Sequence, residues 1–203
     1  MSNRGLLVIL SGPSGSGKDT VLDCMDEKNI PIKRSISMTT RDKREGETDG
    51  IDYYFVTKEY FEKQIAENKM LESALYSTNY YGTPKGPVDR WLDEGKTVVL
   101  KIEVQGAEKI KKMYPDCVSI FIMPPSMQIL ERRLRKRETD SEESILLRLD
   151  AARGEIQCAE KYDYIVFNDV LEDTVDDICA IIKAENFKSS KMKYSVREVI
   201  KNA

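Results

Sequence analysis

The 203-residue chain contains no histidine. The commonest general base and the commonest transition-metal ligand are therefore both missing, and any catalysis must run on other groups. Cysteine is sparse, and the four present, Cys24, Cys117, Cys158 and Cys179, are scattered without a C-x-x-C pair. That spacing argues against structural zinc and reads as small buried hydrophobes in a reducing compartment. An excess of positive charge is also lacking: 32 Lys and Arg against 35 Asp and Glu leave a net charge of −3. A general polyanion binder needs a basic face, so a nucleic-acid partner is not expected and any anion site must be a local cluster. Long hydrophobic runs are missing too. The apolar stretch at 6–10 is five residues long, and no later one approaches the length of a membrane span. A signal peptide or a spanning helix needs more, so the expectation is a cytoplasmic protein without a membrane partner. There is no internal repeat and no low-complexity linker. Oligomeric state is not legible.

What is present describes a globular domain: 40% hydrophobic and 33% charged residues, in a chain long enough for one core with small insertions. The most informative stretch is Gly12-Pro13-Ser14-Gly15-Ser16-Gly17-Lys18, which follows Leu6-Leu7-Val8-Ile9-Leu10 and opens into the helical pattern Thr20-Val21-Leu22. A phosphate chain needs several backbone N–H donors converging on it, and only residues with little side chain let the backbone come that close. Lys18 adds a mobile positive charge and the helix N-terminus its dipole. The spacing fits the phosphate-binding loop G-x-x-x-x-G-K in its required strand–loop–helix setting. One position departs from the strict pattern. Asp19 stands where Ser or Thr would help to hold Mg²⁺, and Thr20 follows as a candidate hydroxyl. An acid in the first helical turn is also ordinary dipole chemistry.

Apolar, β-rich runs recur at 6–10, 97–104, 118–123 and 164–167, with helical patterns between them. This alternation predicts an α/β fold with a parallel sheet flanked by helices, its strands buried on both faces. Two segments interrupt it. Residues 37–87 hold a strand-like Tyr53-Tyr54-Phe55-Val56 and a helix from Lys58 to about Asn68, with Thr57 as its cap. Residues 126–160 read as two charged helices, one over 126–136 and one opening with a capping box, Thr139-Asp140-Ser141-Glu142. The second of these carries apolar Ile145, Leu149, Ala152 and Ile156, and the turn Arg137-Glu138-Thr139 between the two is expected to be exposed. The remaining pieces, 1–36, 88–125 and 161–203, make the core, including a last amphipathic helix with Val175, Ile178, Ile181 and Ile182. Two lobes around a phosphate loop suggest closure that keeps water from a phosphoryl group in transit.

Several side chains suit that chemistry. Arg41 and Arg44, with Tyr53 and the pair Tyr80-Tyr81, could grip a phosphate monoester, although alone they read equally well as a solvated basic loop with aromatic core residues. Glu72 could accept from the two adjacent N–H donors on the edge of guanine, a pair that adenine lacks; its bland alternative is a surface salt bridge. Arg133 and Arg137 fall on one helical face, and Arg148 lies on the next helix. With Lys18 they would form a clamp on a transferring phosphoryl group, a reaction that needs positioning and charge rather than histidine.

Together these residues resemble the guanylate kinase family of P-loop nucleoside monophosphate kinases. The likeness runs from Gly5 to about Ala184. It is carried by the glycine loop, Ser37 through Arg44, Gly46-Glu47, Gly50 through Val56, Glu72, Tyr80-Tyr81-Gly82-Thr83, Glu103-Val104-Gln105-Gly106, Pro124-Pro125-Ser126, the arginines, and Glu142-Glu143-Ser144-Ile145. The resemblance implies transfer of phosphate from Mg²⁺-ATP to GMP or dGMP, with 37–87 as a GMP-binding lobe and 126–160 as a helical lid. It implies that Arg41, Arg44, Tyr53 and Tyr81 hold the GMP phosphate, and that Ser37, Glu72, Thr83 and Glu103 read guanine. Residues 12–20, from Gly12 to Thr20, with Asn168 near the adenine, would hold ATP. Lys18, Arg41, Arg133, Arg137 and Arg148 would carry the transfer. Mg²⁺ would arrive with ATP, Asp19 and Thr20 being the protein groups placed to approach it. The chain departs from the family pattern at Asp19, at Lys101, where an acid is usual, and at Lys136 and Glu138, where glycine is usual. The alternatives on the same scaffold are a ribose 1,5-bisphosphate phosphokinase and a binding module with weakened catalysis.

Overall fold

The computed structural model describes residues 4–76, 78–136 and 141–192. In chain order the elements are β1 (Leu7–Ser11), α1 (Lys18–Glu27), β2 (Ile32–Arg34), β3 (Met38–Thr39), β4 (Tyr54–Phe55), α2 (Lys58–Ala66), β5 (Met70–Tyr76), β6 (Asn79–Pro84), α3 (Lys85–Asp93), β7 (Thr97–Lys101), α4 (Val104–Met113), β8 (Val118–Met123), α5 (Met127–Arg135), α6 (Glu142–Gln157), β9 (Tyr164–Phe167) and α7 (Leu171–Asn186).

Five strands form a parallel sheet in the order β2-β7-β1-β8-β9. The unbroken apolar run around β1 is explained by burial on both faces. Leu6, Val8 and Leu10 enter one core cluster with Val21, Val175 and Ile178 from α1 and α7. Leu7 and Ile9 enter the other, with Val88 and Leu92 of α3 and Ala107 and Ile110 of α4. Side chains of a strand alternate between faces, so a strand between two helical layers has no polar side. The chain passes from β1 through α1 to β2 on one side, and from β8 through α5 and α6 to β9 on the other, which opens a crevice at the carboxyl edge of the sheet where ligands of such folds bind. The glycine loop, Lys101, Met123 and Asn168 all stand at that edge.

A second sheet, ordered β4-β3-β6-β5, lies wholly within 38–84. α2 packs on it through Phe61, which is fully buried and stacks on Tyr80 with ring centroids 5.3 Å apart. The Thr57 hydroxyl accepts from the Tyr60 N–H, the cap expected for this helix. The boundary expected at 87 falls inside α3, whose Val88 and Leu92 belong to the main core. α5 and α6 join through their own cluster of Leu130, Leu134, Ile145, Leu149 and Ala152.

Some expectations need correction. The strand expected over 97–104 ends at Lys101, and Glu103 is the N-cap residue of α4. The second charged helix is capped not by Thr139 but by Ser141, whose hydroxyl accepts from the Ser144 N–H. Thr139 and Asp140, like Arg137 and Glu138, lie outside the described residues. The first charged helix runs Met127–Arg135, with Ser126 and Lys136 as its caps. Only Cys24 and Cys117 are buried, while Cys158 and Cys179 are partly exposed. The strands β2, β3, β5 and β6 carry no long apolar run and were not anticipated.

Candidate active site

The loop after β1 is built by backbone geometry that side chains resist. Gly12, Gly15 and Gly17 have φ of 148°, 88° and 96°. A Cβ on Gly12 would meet the Ile122 carbonyl at 2.4 Å, and one on Gly17 the Asn168 amide nitrogen at 2.2 Å. Glycine is required at both on conformational and steric grounds. Lys18, the first residue of α1, folds back over the loop and donates to the carbonyls of Gly12 at 2.5 Å and Pro13 at 3.1 Å. Burial lowers its pKa, a shift opposed by Glu103, Glu155 and Asp19. Ser16 is fully buried, and its hydroxyl has no hydrogen-bond partner among the described residues. An unpaired polar atom within a glycine loop suits a ligand rich in acceptor oxygens.

The helices α5 and α6 reach this loop. Arg133 donates to the Asn168 carbonyl at 2.8 Å and the Ser16 carbonyl at 3.5 Å. Arg148 donates to Ser14 Oγ at 3.3 Å. Two of the three expected clamp arginines are thus beside the phosphate loop, while Arg137 is outside the described residues. Asn168 is buried, with its amide donating to the Ser16 carbonyl at 2.8 Å and accepting from Thr174 at 3.2 Å. Its side chain is committed to bracing the loop, although the residue also lines a cavity of about 300 Å³ with Thr20, Arg133, Lys136, Asp169 and Leu171.

Across the sheet edge stands the second cluster. Glu72 on β5 pairs directly with Thr83 on β6, and the Thr83 hydroxyl donates to Glu72 Oε1 at 2.8 Å. The N-terminal turn of α4 lies over the same carboxylate. A Cβ on Gly106 would come within 3.1 Å of Glu72 Oε2 and crowd the carboxylate. Burial raises the Glu72 pKa, with Glu103 in the same direction and Thr83 and Lys109 opposing. Glu72 is therefore no surface salt bridge. Nearby, Arg41 forms a two-pronged pair with Glu47 at 2.7 and 2.9 Å, and its guanidinium lies 5.5 Å from the Tyr53 ring centroid. Tyr53 meets Tyr81 edge-on at 6.1 Å. Arg44 is exposed, and its backbone N–H donates to Glu47 at 2.7 Å. The Arg41 fork and this N–H hold the Glu47 carboxyl down at about 2. Ser37 sits at the entry to β3 with its carbonyl accepting from Tyr54.

Two features between the clusters were not anticipated. Lys101 donates to the Asp19 carboxylate, which Arg34 also approaches at 3.5 Å. Burial pushes the Asp19 pKa up, but Lys101, Arg34 and Lys18 outweigh it and the carboxyl stays below its ordinary value. The other is Glu155 on α6. Burial and the charge of Glu103 push its pKa up to about 7, against the pull of Lys18. Nothing in the charged periodicity of that helix marks Glu155, because its environment is set by burial and by Glu103 and Lys18, which are distant in sequence. Among the described residues no group of three or more His, Cys, Asp or Glu could hold a metal. Among them, too, no helix is long and apolar enough to cross a membrane.

Comparison with known proteins adds an independent line. A family profile described as guanylate kinase matches residues 4–185. A guanylate kinase of Carboxydothermus hydrogenoformans is 48% identical over 194 residues, covering 96% of this chain and 95% of that protein. One from Oceanobacillus iheyensis is 45% identical, covering 100% and 98%. The crystal structure of guanylate kinase from Anaplasma phagocytophilum superposes with a TM-score of 0.76 at 37% identity, covering 94% of this chain and 90% of that one.

Proposed function

This chain belongs to the guanylate kinase family, and from that premise we infer that it transfers the γ-phosphoryl group of ATP to GMP or dGMP, giving ADP and the nucleoside diphosphate. The observation that carries the reading is the shielded Glu72–Thr83 pair, set across the sheet edge from a glycine cradle. One device suits a polyphosphate and the other a purine edge with two adjacent donors.

We assign donor binding to Gly12, Pro13, Ser14, Gly15, Ser16, Gly17, Lys18 and Thr20, with Asn168 bracing the loop from behind. Backbone amides and the Ser16 hydroxyl orient the phosphates, and Lys18 trades its two loop carbonyls for phosphate oxygens. Arg133 and Arg148, joined by Arg137, neutralise charge as the phosphoryl group moves. Arg41, Arg44, Tyr53 and Tyr81 hold the acceptor phosphate, with Glu47 fixing the Arg41 fork before substrate arrives. Glu72, Thr83, Ser37 and Glu103 read the base. A base without the paired donors leaves the shielded carboxylate unsatisfied, a penalty of about 1–3 kcal/mol.

Mg²⁺ would supply charge neutralisation on the β- and γ-phosphate oxygens. The donor set fits a metal that comes with ATP rather than a protein-held ion. The Asp19 carboxylate is engaged by Lys101 and Arg34, so Thr20, beside the loop cavity, is the hydroxyl left to approach the metal. A cytoplasmic setting belongs to the same proposal and suits four free thiols.

The ribose 1,5-bisphosphate alternative is not favoured, because a sugar phosphate gives Glu72 and Thr83 nothing to read. ADP formation from Mg²⁺-ATP, followed with GMP, dGMP, AMP and ribose 1,5-bisphosphate in turn, tests the function. Turnover is expected with the two guanine nucleotides. Equal turnover of AMP, or turnover of the sugar bisphosphate alone, would refute it.

A further inference from the structure

Lys101 carries a charge that the roles above leave unassigned. It ends β7 beside the glycine loop, and its ammonium donates to Asp19 in the first turn of α1. The same ammonium stands 5.9 Å from the ring centroid of Tyr53, the ring that Arg41 approaches at 5.5 Å. The Lys101 side chain is only 23% exposed, against 56% for Asp19. The charge is thus held at the seam between the donor loop and the acceptor lobe rather than free in solvent.

The donor count gives this position a consequence. An ammonium has three N–H donors and no acceptor, and Asp19 takes one of them. Asp19 does not depend on Lys101 alone, since Arg34 lies 3.5 Å from the same oxygen. An anion entering between Tyr53 and the loop would meet a partly desolvated cation already aimed by a fixed carboxylate. Attraction there is stronger than at an open surface.

We propose that Lys101 is a further ligand of the acceptor's phosphate, with Asp19 as the positioning residue that aims it. The inference rests on the GMP reading and adds to it a contact that spans the two lobes. Its mark is dependence on the phosphate and not on the base.

The test compares wild type, Lys101→Met, Lys101→Arg, Asp19→Asn and the Asp19→Asn/Lys101→Met double variant. The readouts are KM and kcat for GMP, and calorimetric affinities for GMP and for guanosine. Lys101→Met is expected to raise the KM and Kd for GMP about 10- to 100-fold, as loss of a charge-assisted hydrogen bond does, with guanosine affinity within about twofold. Lys101→Arg is expected to recover most of the loss. Asp19→Asn should raise the KM for GMP several-fold in the presence of Lys101 and not at all in its absence. An unchanged KM for GMP in Lys101→Met, an equal loss of guanosine affinity, or additive effects of the two substitutions would overturn the proposal. Wild-type turnover of GMP separates the cases. If it is present and these effects are missing, only the role of Lys101 fails; if it is missing, the function itself fails.

Discussion

Glu72 shows how a single residue's role depends on its surroundings. A carboxylate that must accept two N–H bonds works only when ionised, and burial holds its pKa above the ordinary value. The affinity for GMP should therefore fall as pH drops toward that raised pKa, because protonation replaces an acceptor by a donor. Glu72→Gln should weaken GMP binding by about 1–3 kcal/mol near neutrality and flatten this part of the pH profile, as read by calorimetry between pH 5.5 and 8. A variant with wild-type affinity would place Glu72 outside the base pocket. Glu155 offers a stability test. Its pKa rises from the ordinary 4.5 to about 7 on folding. The folded state then binds more protons than the unfolded one between those values, so stability is fully present below pH 4.5 and declines as pH rises through 7. Glu155→Gln should be more stable than wild type at pH 8, by on the order of 1 kcal/mol after allowing for solvent screening. The gain should vanish toward pH 4.5, as followed by urea denaturation. A constant difference across pH would mean the carboxyl is not the cause. The sequence marks Glu72 as a carboxylate in a suggestive place. Its partner Thr83 and its cover Gly106 emerge only from the pairing of β5 with β6 and the approach of α4. Glu47 was visible only as part of a motif, because its work on Arg41 depends on how the intervening loop folds.

At the scale of elements, strong local signals were the legible ones. β1, β8 and β9 were expected within a residue of where they stand, because unbroken apolar runs bounded by turn residues admit few other readings. The Thr57 cap was likewise readable from chemistry local to one helix end. β2 and β3 were not, since strands of three and two residues owe their existence to neighbours in the sheet rather than to their own pattern. The glycine loop is where local rule and tertiary demand coincide. Gly17→Ala must place a Cβ at φ 96° and 2.2 Å from the Asn168 amide. The left-handed backbone alone costs about 1–2 kcal/mol, and displacing Asn168 frees the Ser16 carbonyl it holds. Loss of both stability and affinity for a non-hydrolysable ATP analogue is expected. Retention of both would show that the loop does not need this brace.

For the whole molecule, the absence of histidine fits the chemistry proposed. Phosphoryl transfer to a chosen acceptor asks for aligned phosphates, a group that reads the base and concentrated positive charge, and each falls to a different layer. The parallel sheet fixes the loop and Lys18, the mixed sheet fixes Glu72 and Thr83, and the two-helix unit brings Arg133 and Arg148 to the loop. The general scheme was readable from motif order. The joining of Asp19 to Lys101 was not, because those residues are 82 positions apart and meet only at the sheet edge.

The most direct test of this arrangement is calorimetry on wild-type protein titrated with GMP and, separately and together, with a non-hydrolysable ATP analogue in Mg²⁺. One GMP and one ATP analogue should bind per chain, each still binding when the other is saturating, with AMP unable to displace GMP. Competition between GMP and the analogue for a single site, or failure of either to bind at all, would contradict it.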